Sequence, residues 1–289
     1  MNDKFFQIGK GHVAYYDHMG DDISIAQAAR ASYKKGTKSV SDDAALIRTL
    51  YRNEHFSPFS MCQLKLHFKL PMFVFNQFVR HDRLHWNVES GRYSEMSDDF
   101  WVPDDTEGLR GQGNGLNKQA GTGALEEGTA QEIEAQLIAH EQLTRTTYHY
   151  LLQLGLCREQ ARSIISVGQY IECFATANLG DWLLLLSKRL DSNAQRENTI
   201  YAEAIFSIIK ELFPITAQAF IDYNLESVTF TRLEMEMLRR INFSFGEDYK
   251  APLRKVLQTH FDEVGITSKR ERVEFLQKIG LFEEVTNAN

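Results

Sequence analysis

The segment Arg80–Ser94, R-H-D-R-L-H-W-N-V-E-S-G-R-Y-S, gathers three arginines, two histidines, two acids and two serines behind an apolar lead-in, Met72–Val79. Guanidinium groups bind phosphate through planar, charge-assisted contacts, and serine hydroxyls add neutral donors beside them. Such a donor set suits an anionic, ring-bearing small molecule such as a nucleotide. A solvated, salt-bridged helix end would share the composition. His81, His85 and Glu89 recur every four residues, which on a continuous helix would align them as metal ligands are aligned. Trp86 suits either stacking on a base or packing in the core.

The same residues resemble the signature of the flavin-dependent thymidylate synthases, R-H-R, seven residues, S, then R-Y. Arg80 and His81 match its opening, Ser90 its serine and Arg92-Tyr93 its close, while Asp82 stands where the family has arginine. Further matches follow in family order across roughly residues 10 to 220. Upstream are Asp17–Asp22, Ala28–Ser32 and His55-Phe56-Ser57-Pro58-Phe59; downstream are Arg158–Arg162 and Arg189–Gln195.

The resemblance implies C5 methylation of dUMP, with methylenetetrahydrofolate as one-carbon donor and reduced FAD as hydride donor, NADPH reducing the flavin. It assigns Gln77, Ser90, Gly91, Arg92, Arg162 and Arg189 to the nucleotide, with Arg189 and Ser90 at the catalytic positions. It assigns Ser32, His55, Ser57, Arg80, His81, Asp82 and Asn178 to the flavin side, and no metal. It also ends the helix near His81, which would scatter the His81, His85, Glu89 series. The flavin side departs from the pattern at Asp82, Ser60, Gly180, Leu184, Asn193 and His85. Those departures leave open a related methylase or hydroxymethylase acting on UMP or dCMP, or a nucleotide-binding homologue without catalysis. The family further implies a homotetramer with sites shared between subunits.

At 289 residues the chain can bury a substantial core. A net charge of -7 argues against polymeric nucleic acid as the main partner, while a local arginine cluster can still hold one nucleotide. No apolar run reaches membrane-spanning length and no secretory signal pattern opens the chain, so a cytoplasmic protein is expected. Cys62, Cys157 and Cys173 are odd in number and not spaced as C-x-x-C, and they read as buried or incidental thiols with no disulfide framework.

The elements that must position these residues are legible in outline, as an α+β fold with an antiparallel or mixed sheet flanked by long helices. Helices are expected over about 23–35 and from Ser41, as N-cap, to about 53. Leu64, Leu66, Phe68 and Leu70 alternate with Gln63, Lys65, His67 and Lys69, which predicts a half-buried strand. Pro71 ends that strand and suits the start of the helix carrying Arg80. Residues 104–128 read as a long loop. A helix follows over 130–156, with Ile133, Leu137 and Ile138 on its buried stripe. A strand is expected over 169–178, then helices over 181–190 and 193–213, the latter stopped by Pro214. Residues 1–225 form the family-like domain and 226–289 a helical extension, where Ser268 and Glu271 make a capping-box pattern.

Overall fold

A computed structural model describes residues 4–31, 40–103, 108–112, 121–191 and 194–229, together with Lys269, Arg272, Leu276 and Ile279. The chain divides into two compact units, residues 1–227 and 228–289. The fold below is that of the first. The expected capping box at Ser268 and Glu271, the site residue Ser32 and Asn193 all lie outside the described residues.

Strands β1 (Phe5–Ile8) and β2 (Gly11–Met19) form a hairpin, followed by helices α1 (Asp22–Ala31) and α2 (Val40–Arg52). Strand β3 (Gln63–Pro71) leads directly into α3 (Met72–Phe78), and β4 (His85–Val88) follows. Next come two short strands, β5 (Arg110–Gln112) and β6 (Gly121–Ala124), the long helix α4 (Glu127–Gln153) and the single turn α5 (Arg158–Ala161). Strand β7 (Tyr170–Asn178), α6 (Leu179–Arg189), α7 (Arg196–Leu212) and α8 (Pro214–Phe220) complete the unit. The main sheet has the order β1-β2-β3-β7-β4, and every pairing in it is antiparallel.

The alternation in β3 sets the layers. Leu64, Leu66, Phe68 and Leu70 are fully buried beside Cys173, Ala175 and Ala177 of β7. Helices α6 and α7 cover this face. Trp182 is fully buried and donates from Nε1 to the Leu64 carbonyl at 3.0 Å, and Tyr201 donates its hydroxyl to the Lys69 carbonyl at 3.2 Å. These bonds satisfy polar groups inside an apolar layer that would otherwise be costly to bury. The other sheet face is polar: His12 and His67 share a 3.0 Å hydrogen bond and Lys69 reaches Asp99 at 2.6 Å.

Pro71 is the last residue of β3 and the N-cap of α3, its φ of -63° serving both. Helix α3 stops at Phe78, so Arg80 lies in the turn beyond it. Because His85 is on a strand, the four-residue spacing of His81, His85 and Glu89 does not place them on one face. Trp86 packs in the core against Phe68, Phe75 and Phe78, at centroid distances of 5.6, 5.4 and 6.3 Å.

Besides the expected helix at Arg80, four expectations need correction. Helix α2 begins at Val40 and takes in Ser41, so Ser41 is not its cap. Residues 104–128 are not simply a loop, because β5 and β6 pair as an antiparallel hairpin within them. Pro214 stops α7 but also opens α8, whose first N–H groups are capped from afar by Asp22: its carboxylate accepts from Ile215 N (2.8 Å) and Thr216 N (3.1 Å). The stripe of α4 is only half-buried at Ile133, Leu137 and Ile138, and Leu143, Tyr150 and Leu154 are 66, 57 and 64% exposed. Among the described residues no helix is long and apolar enough to cross a membrane.

Candidate active site

The C-terminal ends of α3 and α6 meet at Gln77 and Arg189. Arg189 Nη2 donates to the Gln77 main-chain carbonyl at 2.6 Å and Nη1 approaches Gln77 Oε1 at 3.4 Å. The carbonyls at a helix end lack partners within the helix, so a guanidinium there is both a donor and a charge match. The Gln77 amide is held in turn by the side chain of Gln195. Two buried atoms at this junction, Arg189 Nε and His81 Nε2, have no partner among the described residues. Burial lowers the pKa of Arg189 from its ordinary value, yet a guanidinium remains a cation at neutral pH. The His81 pKa is also lowered, by burial first and then by Arg189 and Lys188, with Asp82 acting in the opposite sense. His81 therefore stands as a neutral imidazole at neutral pH.

From His81 the chain runs along α6. Arg83 reaches Asp181 in the first turn of that helix at 3.4 Å, while His81 feels Arg189 in its last turn. Eight helical residues span about 12 Å. Asn178 caps the near end of α6: its Oδ1 accepts from Asp181 N at 3.0 Å and its Nδ2 donates to Asp181 Oδ2 at 2.5 Å. Its amide is thus committed to the cap. His55 and Ser57 are exposed in the segment before β3, and a Cβ built on Gly180 would lie 3.9 Å from Phe56 Cβ, so this segment sits against the same end of α6. Arg80 and Asp82 are exposed, with no hydrogen bond or ion pair to a described side chain.

A second group forms where the chain leaves β4. Ser90 Oγ accepts from Arg92 N at 3.3 Å, and the Ser90 carbonyl accepts from Tyr93 N at 3.0 Å, a tight turn around Gly91. Gly91 is buried: a Cβ there would come within 2.5 Å of Met96 Sδ and 3.2 Å of Arg162 Cδ. Arg162 therefore lies over this turn. Arg92 pairs with Glu159 at 3.1 Å and Arg158 with Glu95 at 3.7 Å, all four side chains being well exposed. Exposed pairs of this kind are worth little, about 0–1 kcal/mol, so Arg92 can exchange Glu159 for another partner at small cost. Among the described residues no carboxylate or imidazole is hydrogen-bonded to the Ser90 hydroxyl.

Ten of the thirteen expected site residues thus fall into three clusters: Gln77, His81 and Arg189; Ser90, Gly91, Arg92 and Arg162; and His55, Ser57 and Asn178 at the start of α6. A cleft of about 1020 Å3 opens at the first of them, lined by Gln77, Arg189, Gln195, Lys188, Trp101 and Arg110 among others. Lys188, Trp101 and Arg110 escaped sequence reasoning. Lys188 is marked only by its place beside Arg189, and Arg110 lies in a stretch too short to show strand periodicity.

Two of the three thiols are unreactive by environment. Cys62 is buried and its pKa is pushed up to about 11, chiefly by burial, and Cys173 is pushed up for the same reason. Cys157 is exposed and is the N-cap of α5, next to Arg158.

Residues 15–215 match the family described as Thymidylate synthase complementing protein. The flavin-dependent thymidylate synthase of Wolbachia pipientis wMel is 38% identical over 231 residues, covering 80% of this chain and 81% of the relative. That of Dictyostelium discoideum is 43% identical over 218 residues, covering 75% and 71%. Among solved structures, the UMP/dUMP methylase PolB from Streptomyces cacaoi bound with 5-Br dUMP superposes with a TM-score of 0.69 at 28% identity, covering 74% of this chain and 96% of that one. A structure of the same methylase bound with 5-Br UMP gives 0.68 at 27%, covering 76% and 98%. With the signature segment, the antiparallel α+β fold and these relatives in agreement, the chain belongs to the flavin-dependent thymidylate synthase family.

Proposed function

We propose that the protein methylates C5 of dUMP to give dTMP, taking the one-carbon unit from methylenetetrahydrofolate. The observation that carries this reading is the junction of Gln77 and Arg189, where a half-buried guanidinium with a buried, unsatisfied Nε lines a cleft large enough to hold a nucleotide. C5 of a uracil is a poor nucleophile until charge developing on the ring is stabilised, and Arg189 supplies a preorganised cation for it. Gln77, Ser90, the turn at Gly91, Arg92 and Arg162 hold the phosphate and sugar. No cysteine takes part.

The flavin side of the site fits FAD at one clear point. His81 Nε2 is buried, unpaired and on a neutral imidazole, so it can bond to a ring carbonyl or ring nitrogen. His55, Ser57, Arg80, Asp82 and Ser32 are assigned around it, whereas Asn178 contributes by fixing the start of α6. The hydride that completes the methyl group is the chemistry a bound reduced FAD supplies, with NADPH as the source of its electrons. Residues 1–225 form the catalytic domain and 226–289 an extension.

A cytoplasmic homotetramer completes the proposal. The exposed apolar side chains Leu143, Tyr150 and Leu154 along α4 support assembly, since contiguous apolar surface marks interfaces. UMP is a second substrate to test, because the structural neighbour is a UMP/dUMP methylase. The decisive experiment incubates the protein with FAD, NADPH and methylenetetrahydrofolate plus dUMP, UMP or dCMP, and reads products by mass spectrometry. A dUMP-derived product heavier by one CH2 unit is expected. A hydroxymethyl product, or none from dUMP, would refute the assignment.

A further inference from the structure

The cleft at Gln77 and Arg189 is larger than one nucleotide requires. Ligand sites run from roughly 300 to 1,000 Å3, and a nucleoside monophosphate belongs at the small end of that range. The cleft has about 1020 Å3. Its charge is also in excess of what the base end uses: Arg110, Lys188, Arg189 and Arg196 line it against Asp191 and Glu197.

The additional wall comes from the β5–β6 hairpin. An isolated two-stranded hairpin is marginal in water, so its position depends on what ties it down. That tie is Arg110, whose Nη2 donates to Glu197 Oε1 in the first turn of α7 at 2.7 Å. The side chains are 31 and 17% exposed, so the pair is partly withdrawn from water. Gly121 gives Arg110 its clearance: a Cβ there would fall 2.8 Å from Arg110 Cβ. A guanidinium has five N–H donors in a fixed fork, and one bond to Glu197 orients the fork while leaving donors for a ligand.

We propose that the hairpin end of this cleft is a second oxyanion subsite, in which Arg110, aimed by Glu197, receives the anionic end of a co-substrate. The group is either a glutamate carboxylate of the one-carbon donor or a phosphate of the nicotinamide dinucleotide. The subsite rests on the reading of the base end as the dUMP site. Arg110 binds ligand directly; Glu197 acts through it as a positioning residue.

The test is calorimetric and does not depend on turnover. FAD-supplemented protein is titrated with dUMP, and then, with dUMP present, with pteroylmonoglutamate against pteroylpentaglutamate and with NAD+ against NADP+. The ligand carrying the extra anionic groups should bind about tenfold tighter within one of the two pairs, which identifies the source. Arg110→Gln should abolish that preference, and Arg110→Lys, keeping the charge without the fork, should retain part of it, with both variants melting like the wild type and binding dUMP within about twofold. Wild-type protein that binds dUMP yet shows neither preference overturns the subsite alone, as does a preference that survives Arg110→Gln. Wild-type protein that fails to bind dUMP overturns the nucleotide reading beneath it.

Discussion

Arg189 donates to the main-chain carbonyl of Gln77 at 2.6 Å while its own Nε stays buried and unpaired. One guanidinium therefore closes the C-terminal end of α3 and still has a buried N–H without a partner among the described residues. That unsatisfied donor separates Arg189 from an ordinary helix-capping arginine.

Replacing Arg189 by lysine keeps the charge but loses the fork. The expected result is a fall in kcat of about 10²–10³, the range seen when a preorganised donor to developing charge is removed. KM for dUMP should change much less, and a melting curve checks that α3 remains docked. A change confined to KM would mean that Arg189 only binds.

Arg162 lies over the Gly91 turn beside Arg92. Removing it as Arg162→Ala should weaken dUMP binding by about 1.5–3 kcal/mol, the worth of a hydrogen bond to a charged group. Uridine and deoxyuridine, which lack the phosphate, should bind wild type and variant alike. Calorimetry with the nucleotide and nucleoside pairs distinguishes a phosphate contact from a general loosening of the turn.

The amount of this site legible in the sequence follows from how local each cause is. The alternation at Leu64–Leu70 determines which face of β3 is buried, and Pro71 marks the change from strand to helix at a single residue. Asn178 followed by Asp181 is likewise a local N-cap pattern, carried entirely by residues three apart. The β5–β6 hairpin is not legible in this way, because strands of three and four residues carry no period and their position depends on Arg110 meeting Glu197 far along the chain. The neutral state of His81 is equally hidden, since it arises from burial and from the approach of α6, not from its neighbours in sequence.

The stability of the protein should fall on mild acidification. The pKa values of His81 and His12 both lie below the ordinary 6.5. In each case burial is the main cause; for His12 the next is His67. Below pH 6.5 the unfolded chain takes up protons that the folded protein resists, so stability rises with pH through the window beneath 6.5 and is fully present above it. Melting temperature measured from pH 5 to 8 should show this slope, and His81→Asn should flatten it. An unchanged slope in that variant would remove His81 from the cause.

Turnover should survive loss of all three thiols. Cys62 and Cys173 are buried and held protonated, so Cys62→Ala and Cys173→Ala leave core gaps of about one sulfur each, costing roughly 1–2 kcal/mol of stability. Cys157→Ser is on the surface. A folded triple variant should retain kcat within about threefold, consistent with a mechanism that forms no thiol adduct. Inactivity traced to one position, with the fold intact, would point to covalent catalysis.

The most exposed prediction concerns Asp82, which stands where the signature has arginine. Its carboxylate is exposed and raises the His81 pKa against the effects of burial, Arg189 and Lys188. Exchanging a cation for an anion beside a bound reduced flavin disfavours negative charge on the ring, though solvent screens much of it. FAD should therefore bind more loosely than in relatives with the full signature, and the protein should purify with little flavin. Asp82→Arg should tighten FAD by about tenfold, one charge-assisted contact. It should also lower the His81 pKa further, because a neighbouring anion becomes a cation. Fluorescence titration of FAD reads the first effect and NMR titration of the His81 ring the second. If the imidazole responds but FAD does not bind more tightly, position 82 faces His81 and not the flavin. The substitution would then have rebuilt the pocket for different chemistry, and the assays with UMP and dCMP would become the ones to pursue.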